Sequence, residues 1–290
     1  MDLFEKSLNV KDYDCSRDGE NYRKKSPCFN FYIQVSSFCN GYCAFCEMRN
    51  GFKKDNGFDF IKFEEVVKTL ASKNIVSRFA LTGGEPLFFP DRINQIIEIL
   101  RKYIDDPYIT LNTNGYNEKL LKEYHENPSI KEIHLSRHHY EQEKHESIIG
   151  IETVPLSHLA GLHKLKVNTV LSVDTLNNVK DIKTFLDTLS YYKIPAARLI
   201  QIMPLNDYAM NSKIDINELY SYMMSHYLND GVIMDHNYCS CLDFLYVSDK
   251  YPTPVHVLLR ETKQPECCIL KQLVYDGAFL KDGFGEKIIY

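Results

Sequence analysis

The sequence predicts an α/β fold, a partial (β/α)6 barrel of the TIM type with a small C-terminal α+β appendage. Short β-rich apolar runs alternate six times with helical apolar periodicity, polar clusters recur where those runs end, and the alternation stops near Asn229. Strands alternating with helices build a parallel sheet through right-handed crossovers, and such folds carry function at the carboxyl ends of the strands. The chain is accordingly expected to divide into an N-terminal extension (1–29), the barrel (30–228) and the appendage (229–290).

The extension is polar and charged, with Lys11, Arg17, Asp18, Glu20, Arg23, Lys24 and Lys25. Phe31 to Val35 reads as the first strand and leads directly into a cysteine-rich loop. Phe63, Val66, Val67 and Leu70 share a helical face, after which Phe79-Ala80-Leu81 runs into Thr82-Gly83-Gly84-Glu85-Pro86. Ile93, Ile96, Ile97, Leu100 and Ile104 mark the next helix, and Tyr108 to Leu111 a strand ending at Asn112-Thr113-Asn114-Gly115. Leu120, Leu121 and Tyr124 lie on a helix, and Ile133 and Leu135 on a strand that stops at Ser136-Arg137-His138-His139. Leu156 to Leu165 is expected to be helical. Lys166 to Ser172 is a strand, Val179, Ile182, Leu186 and Leu189 a helix face, and Arg198 to Met203 the sixth strand. Beyond it come only short apolar runs, Phe244 to Val247, Val255 to Leu259 and Leu273 to Tyr275.

Hydrophobic residues make up 44% and charged residues 25% of the 290, an ordinary globular balance. A net charge of −5 supplies no general field for nucleic acid, which is not expected as a partner. Nine cysteines, odd in number and clustered, argue against a disulfide scaffold. With no apolar leader and no apolar run of about 18 residues, neither secretion nor a membrane is expected, and the reading is cytoplasmic.

The loop Cys39-Asn40-Gly41-Tyr42-Cys43-Ala44-Phe45-Cys46 brings three thiols close together in sequence. Thiolates select zinc, copper(I) or iron–sulfur clusters. A structural zinc site wants a fourth ligand nearby, and the intervening residues offer none. A four-iron cubane on three cysteines instead leaves one iron open to a ligand that is not protein.

These cysteines after the first strand, with Gly83-Gly84-Glu85-Pro86 after the second, resemble the radical S-adenosylmethionine superfamily over about residues 30 to 205. The resemblance implies that Cys39, Cys43 and Cys46 hold a [4Fe–4S] cluster whose open iron binds S-adenosylmethionine. Phe45, Gly83, Gly84, Glu85, Asn112, Asn114, Ser136 and Met203 are the implied cofactor contacts. The implied activity is reductive cleavage of S-adenosylmethionine and hydrogen abstraction from an organic small molecule, with electrons from a flavodoxin- or ferredoxin-type donor. A peptide-modifying enzyme and a glycyl-radical activase are the alternative radical enzymes, and a non-catalytic metal-binding protein is the alternative from another class.

Within the superfamily the pattern is most similar to the GTP 3′,8-cyclase subgroup, through Lys166-Val167-Asn168-Thr169-Val170-Leu171 and Arg198-Leu199-Ile200-Gln201-Ile202-Met203-Pro204. Lys166 matches a substrate-binding lysine there. Tyr32 and Ala80 stand where that subgroup carries arginines, so the charged forks suited to a triphosphate are missing and GTP is not the expected substrate. Arg137 follows Ser136 where relatives carry an aspartate; it and Lys166 are the candidate catalytic residues. In the tail, Cys239, Cys241 and Cys268 could supply an auxiliary iron–sulfur cluster, Cys267 being adjacent to the last. Packed, degenerate cysteines are the other reading.

Overall fold

The computed structural model describes residues 29–46, 54–227, 241–260 and 272–282. Strand β1 (Phe29–Ser36) is followed by α1 (Phe60–Lys73), β2 (Val76–Gly83), α2 (Pro90–Tyr103), β3 (Ile109–Thr113), α3 (Glu118–Glu126), β4 (Ile130–Ser136), α4 (Gln142–Ile149), β5 (Leu165–Leu171), α5 (Val179–Tyr191) and β6 (Ala196–Gln201). Then come α6 (Asp207–Asn211), α7 (Asn217–Tyr227), β7 (Cys241–Tyr246), β8 (Val255–Arg260), β9 (Gln272–Tyr275) and β10 (Leu280–Asp282). Strands β1 to β6 pair in parallel and in chain order, as one-helix crossovers dictate. They form the middle of an open ten-stranded sheet ordered β10-β9-β1-β2-β3-β4-β5-β6-β8-β7.

The strands from beyond residue 229 extend that same sheet at both edges. β8 runs parallel to β6 and pairs antiparallel with β7, while β9 runs parallel to β1 and pairs antiparallel with β10. The two outer hairpins cover the outer edges of β1 and β6, which would otherwise present unpaired backbone.

Alternation along each strand sorts the side chains. Phe31, Ile33, Leu81, Leu111, Ile133, Val167 and Leu199 face the helices and are buried. The helices meet them with matching stripes such as Ile93, Ile96, Ile97 and Leu100 of α2. The opposite face lines the barrel lumen and is polar: Tyr32, Arg78, Asn112, Glu132, His134, Lys166, Asn168 and Arg198 all lie on it. Helix starts follow sequence chemistry, with Asp59, Asn117 and Asn178 accepting from Lys62, Leu120 and Asp181 amides.

The helix expected over Leu156 to Leu165 is a single 3-10 turn, Leu156–Leu159, with Gly161 at φ 78° before β5. The left-handed Gly161 stops any continuation. The crossover helix lies earlier, at α4, where Gln142-Glu143-Lys144-His145-Glu146-Ser147 lacks the apolar stripe that signals a helix. No helix among the described residues is long and apolar enough to cross a membrane.

Candidate cofactor and substrate site

The cysteine loop leaves β1 at Ser36 and is tied down at the carboxyl ends of the sheet by several neighbours. After β2, Gly84 N donates to Ser36 O at 2.8 Å and Glu85 N to Phe38 O at 2.7 Å. A Cβ on Gly84 would lie 1.9 Å from Phe38 O, and one on Gly83, at φ 118°, 2.3 Å from Ser36 O. The two glycines thus permit backbone to pack on backbone, holding the loop directly. From the end of β3, Asn114 Nδ2 donates to Asn40 Oδ1 at 2.7 Å. From the end of α4, Ile149 O accepts from Tyr42 N at 2.7 Å. Beyond β6, Asn206 caps α6 with its Oδ1 and donates through Nδ2 to Ala44 O and Cys46 O at 3.2 and 3.3 Å. Arg92 of α2 bonds Val35 O at 2.6 Å and grips Asp55 with both terminal nitrogens, and Asp55 also accepts from Ser36.

Cys39, Cys43 and Cys46 are half-buried and none is in a disulfide. Burial, with the negative neighbours Glu85 and Cys46, raises the Cys39 thiol above its ordinary pKa although Gly41 N donates to its sulfur at 3.3 Å. A thiolate there calls for a positive partner, as a bound metal provides. The three thiols on one loop are the soft donors that iron–sulfur clusters take.

Glu85 is buried at 1% exposure. Its Oε1 accepts from Leu87 N and Thr113 Oγ1 and its Oε2 from Asn114 N, at 3.0, 2.7 and 2.7 Å. Burial outweighs these donors and pushes its carboxyl up to about 7. The side chain joins the ends of β2 and β3 under the loop.

Phe45 meets His138 edge to face, with ring centroids 4.9 Å apart. His138 Nδ1 accepts from Val170 N and His145 Nδ1 from His138 N, each at 3.1 Å, so both imidazoles are neutral with the proton on Nε2. Burial holds their pKa values down to about 3 and about 2. Arg137 is 2% exposed. Its guanidinium turns toward α4, donating to Gln142 Oε1 at 2.5 Å and to the carbonyls of His139 and Tyr140 at 2.9 and 3.4 Å.

In the lumen, Glu132 gathers Tyr108 Oη, Lys166 Nζ and His134 Nε2 at 2.5, 2.6 and 2.8 Å, with Arg78 at 3.9 Å. Burial pushes the Glu132 carboxyl upward, but the bonds from His134, Lys166 and Tyr108 together hold it well below the usual range. His134 is lowered to about 4, mainly by burial, and its Nδ1 meets Asn112 Oδ1 at 3.0 Å. Tyr32 and Ala80 are register partners on adjacent lumen positions.

Of the residues singled out from sequence, the cysteines, Phe45, Gly83, Gly84, Glu85, Asn114, Ser136 and Met203 gather at the rim, where Met203 is 40% exposed. Asn112 and Lys166 lie in the lumen, and Arg137 packs against α4. Glu132, His134 and Asn206 belong to none of the sequence motifs, and Arg198 stands in the sixth-strand motif with no site role attached to it. The signal for the lumen residues was polarity at every second position of strands whose other face is apolar. Cys241 opens β7, opposite Arg260; Cys239, Cys267 and Cys268 lie outside the described residues.

An open parallel barrel with a three-thiol loop at its rim defines a recognisable class. Residues 33–186 match the family model for the radical SAM superfamily, more than half of the chain, and the protein belongs to that superfamily of enzymes. Among curated proteins, it is 30% identical over 155 residues to a probable GTP 3′,8-cyclase of Thermoplasma volcanium, covering 51% of this chain and 47% of that one. It is 24% identical over 184 residues to the GTP 3′,8-cyclase of Clostridium botulinum, covering 60% and 56%. The chain thus spans about half the length of these relatives. Among solved structures, Streptococcus suis SuiB bound to S-adenosylmethionine superposes with a TM-score of 0.54 at 17% identity, over 69% of this chain and 48% of SuiB, a likeness of fold.

Proposed function

We propose that this protein reductively cleaves S-adenosylmethionine at a [4Fe–4S] cluster held by Cys39, Cys43 and Cys46, and uses the product to abstract hydrogen from a small organic substrate in the lumen. The three half-buried thiols on one loop, docked by the ends of β2, β3, α4 and the turn after β6, carry this reading. When bound, the cluster and S-adenosylmethionine supply a 5′-deoxyadenosyl radical. The chain's own residues hold the loop, place Phe45 beside a neutral His138, and keep a polar lumen below the rim. Electrons come from a flavodoxin- or ferredoxin-type donor. The phenol of Tyr32 and the methyl of Ala80, side by side, make that part of the wall unsuited to a triphosphate, so the substrate differs from GTP.

Anaerobic reconstitution tests this. The expected product is a brown protein with about four irons per chain that yields 5′-deoxyadenosine after reduction; about eight irons would add an auxiliary cluster in the tail. Cys43→Ala should lose the spectrum and the cleavage together. One zinc per chain without cleavage would overturn the proposal.

A further inference from the structure

Arg198 lies on the lumen face of β6 and Asn168 is its register partner on β5, so their side chains stand side by side at the strand spacing of about 4.8 Å. Among the described residues neither has its full set of hydrogen bonds. Among the described residues the Arg198 guanidinium has one hydrogen-bonding contact, Nη1 to His134 Nδ1 at 3.4 Å. Its five donors are meant for planar oxyanions. Glu132 is the one carboxylate on the lumen face of β1 to β6, and it is already taken by Tyr108, His134 and Lys166. Burial disfavours the Arg198 charge and Arg78 and Arg260 disfavour it further, while Glu132 and Tyr32 pull the other way without a hydrogen bond to it among the described residues. On β5, Asn168 Oδ1 is buried and meets no donor among the described residues. Native structures rarely leave such an acceptor unpaired, because its hydration is lost with nothing in return.

We propose that Arg198 and Asn168 form a substrate-recognition subsite for an oxyanion, carboxylate or phosphate, that carries an O–H or N–H donor beside it. Arg198 takes the charge and Asn168 Oδ1 takes the donor. The subsite rests on the functional reading above, in that the occupant is the substrate. Arg198 is the third of six residues in β6, below Met203 at the rim, which places the occupant deeper than the cofactor contacts expected there.

Phosphate at neutral pH keeps a P–OH that sulfate lacks, and glycolate keeps a hydroxyl that acetate lacks. Thermal unfolding with each of the four ions at fixed ionic strength therefore reads the two side chains separately. The wild type should gain several-fold more stabilisation, in degrees of midpoint shift, from phosphate than from sulfate, or from glycolate than from acetate; the stronger arm identifies the oxyanion class. Arg198→Gln should lose the response to all four. Asn168→Leu should keep a response but lose the preference for the hydroxylated member of each pair. Lys68→Gln, on the exposed side of α1, should behave as wild type. Should Arg198→Gln fail to fold, Arg198→Lys keeps the charge without the fork and should give a smaller shift than wild type.

A wild-type response equal within each pair, no response to any ion, or responses unchanged in the Arg198 variants would overturn the subsite. So would S-adenosylmethionine abolishing the phosphate response of the cluster-loaded protein, which would assign the pair to the cofactor. Cleavage of S-adenosylmethionine without an anion response overturns the subsite alone. An anion response in a protein that never cleaves S-adenosylmethionine overturns the functional reading.

Discussion

His134 shows how much a single lumen side chain must do. Its Nε2 meets Glu132 Oε2 at 2.8 Å, while its Nδ1 meets Asn112 Oδ1 at 3.0 Å and Arg198 Nη1 at 3.4 Å. Its folded pKa is lowered to about 4 from an ordinary 6.5, first by burial and then by the neighbouring arginines, Glu132 pulling the other way. A group that binds its proton less readily when folded contributes stability that is full above pH 6.5 and is lost as pH falls through about 4. The difference in unfolding free energy between wild type and His134→Gln should therefore shift against the wild type by on the order of 3 kcal/mol over that window. Urea titrations at a series of pH values check it; a pH-independent difference would show that the ring already carries its proton. This residue was invisible to motif reasoning because its role comes from partners on β3, β4 and β6, which sequence separates widely. The cysteines were legible because all their chemistry lies within one short loop.

At the scale of elements, α6 is short, yet its N-cap does two jobs. Asn206 closes the first turn and reaches the carbonyls of Ala44 and Cys46. Asn206→Leu should cost about 1 kcal/mol for the lost cap and should also release the distal end of the cysteine loop. The reconstituted variant is expected to lose its visible absorbance to a chelator several-fold faster than wild type, at a temperature well below its unfolding midpoint. Equal rates would reduce Asn206 to a helix cap. The contrast between α4 and the turn at Leu156–Leu159 belongs to this scale too. Apolar spacing suggested a helix over the later segment, but its leucines dock as a turn before Gly161, while the true crossover helix is polar and buries little beyond His145 and Ile149. Periodicity finds helices that pack broadly on a sheet. It passes over those that rest on a side-chain network such as Gln142 with Arg137, Glu146 and Thr153.

For the whole molecule, the six-unit barrel was readable because one helix per crossover leaves little choice of strand order. The destination of the last strands was not, since nothing local in Leu273-Val274-Tyr275 says that they pair with the first strand rather than with one another. Ending the chain before Gln272 should bare the outer edge of β1, and the truncated protein is expected to self-associate, eluting from size exclusion as aggregate where the full chain does not. An unchanged elution profile would show that the edge is protected in another way.

The pairing of β9 with β1 also bears on how the protein is made. Phe31 meets Leu273, so the strand that delivers the cysteine loop gains its second neighbour only after Gln272–Tyr275, far downstream in sequence, has left the ribosome. Contacts so distant in sequence form slowly, because closing a long loop precedes any gain from the contact. Until then the thiols hang from a strand supported on one side. Cluster insertion is therefore expected to follow synthesis of the last strands, and a nascent chain stalled ahead of them to take up iron poorly.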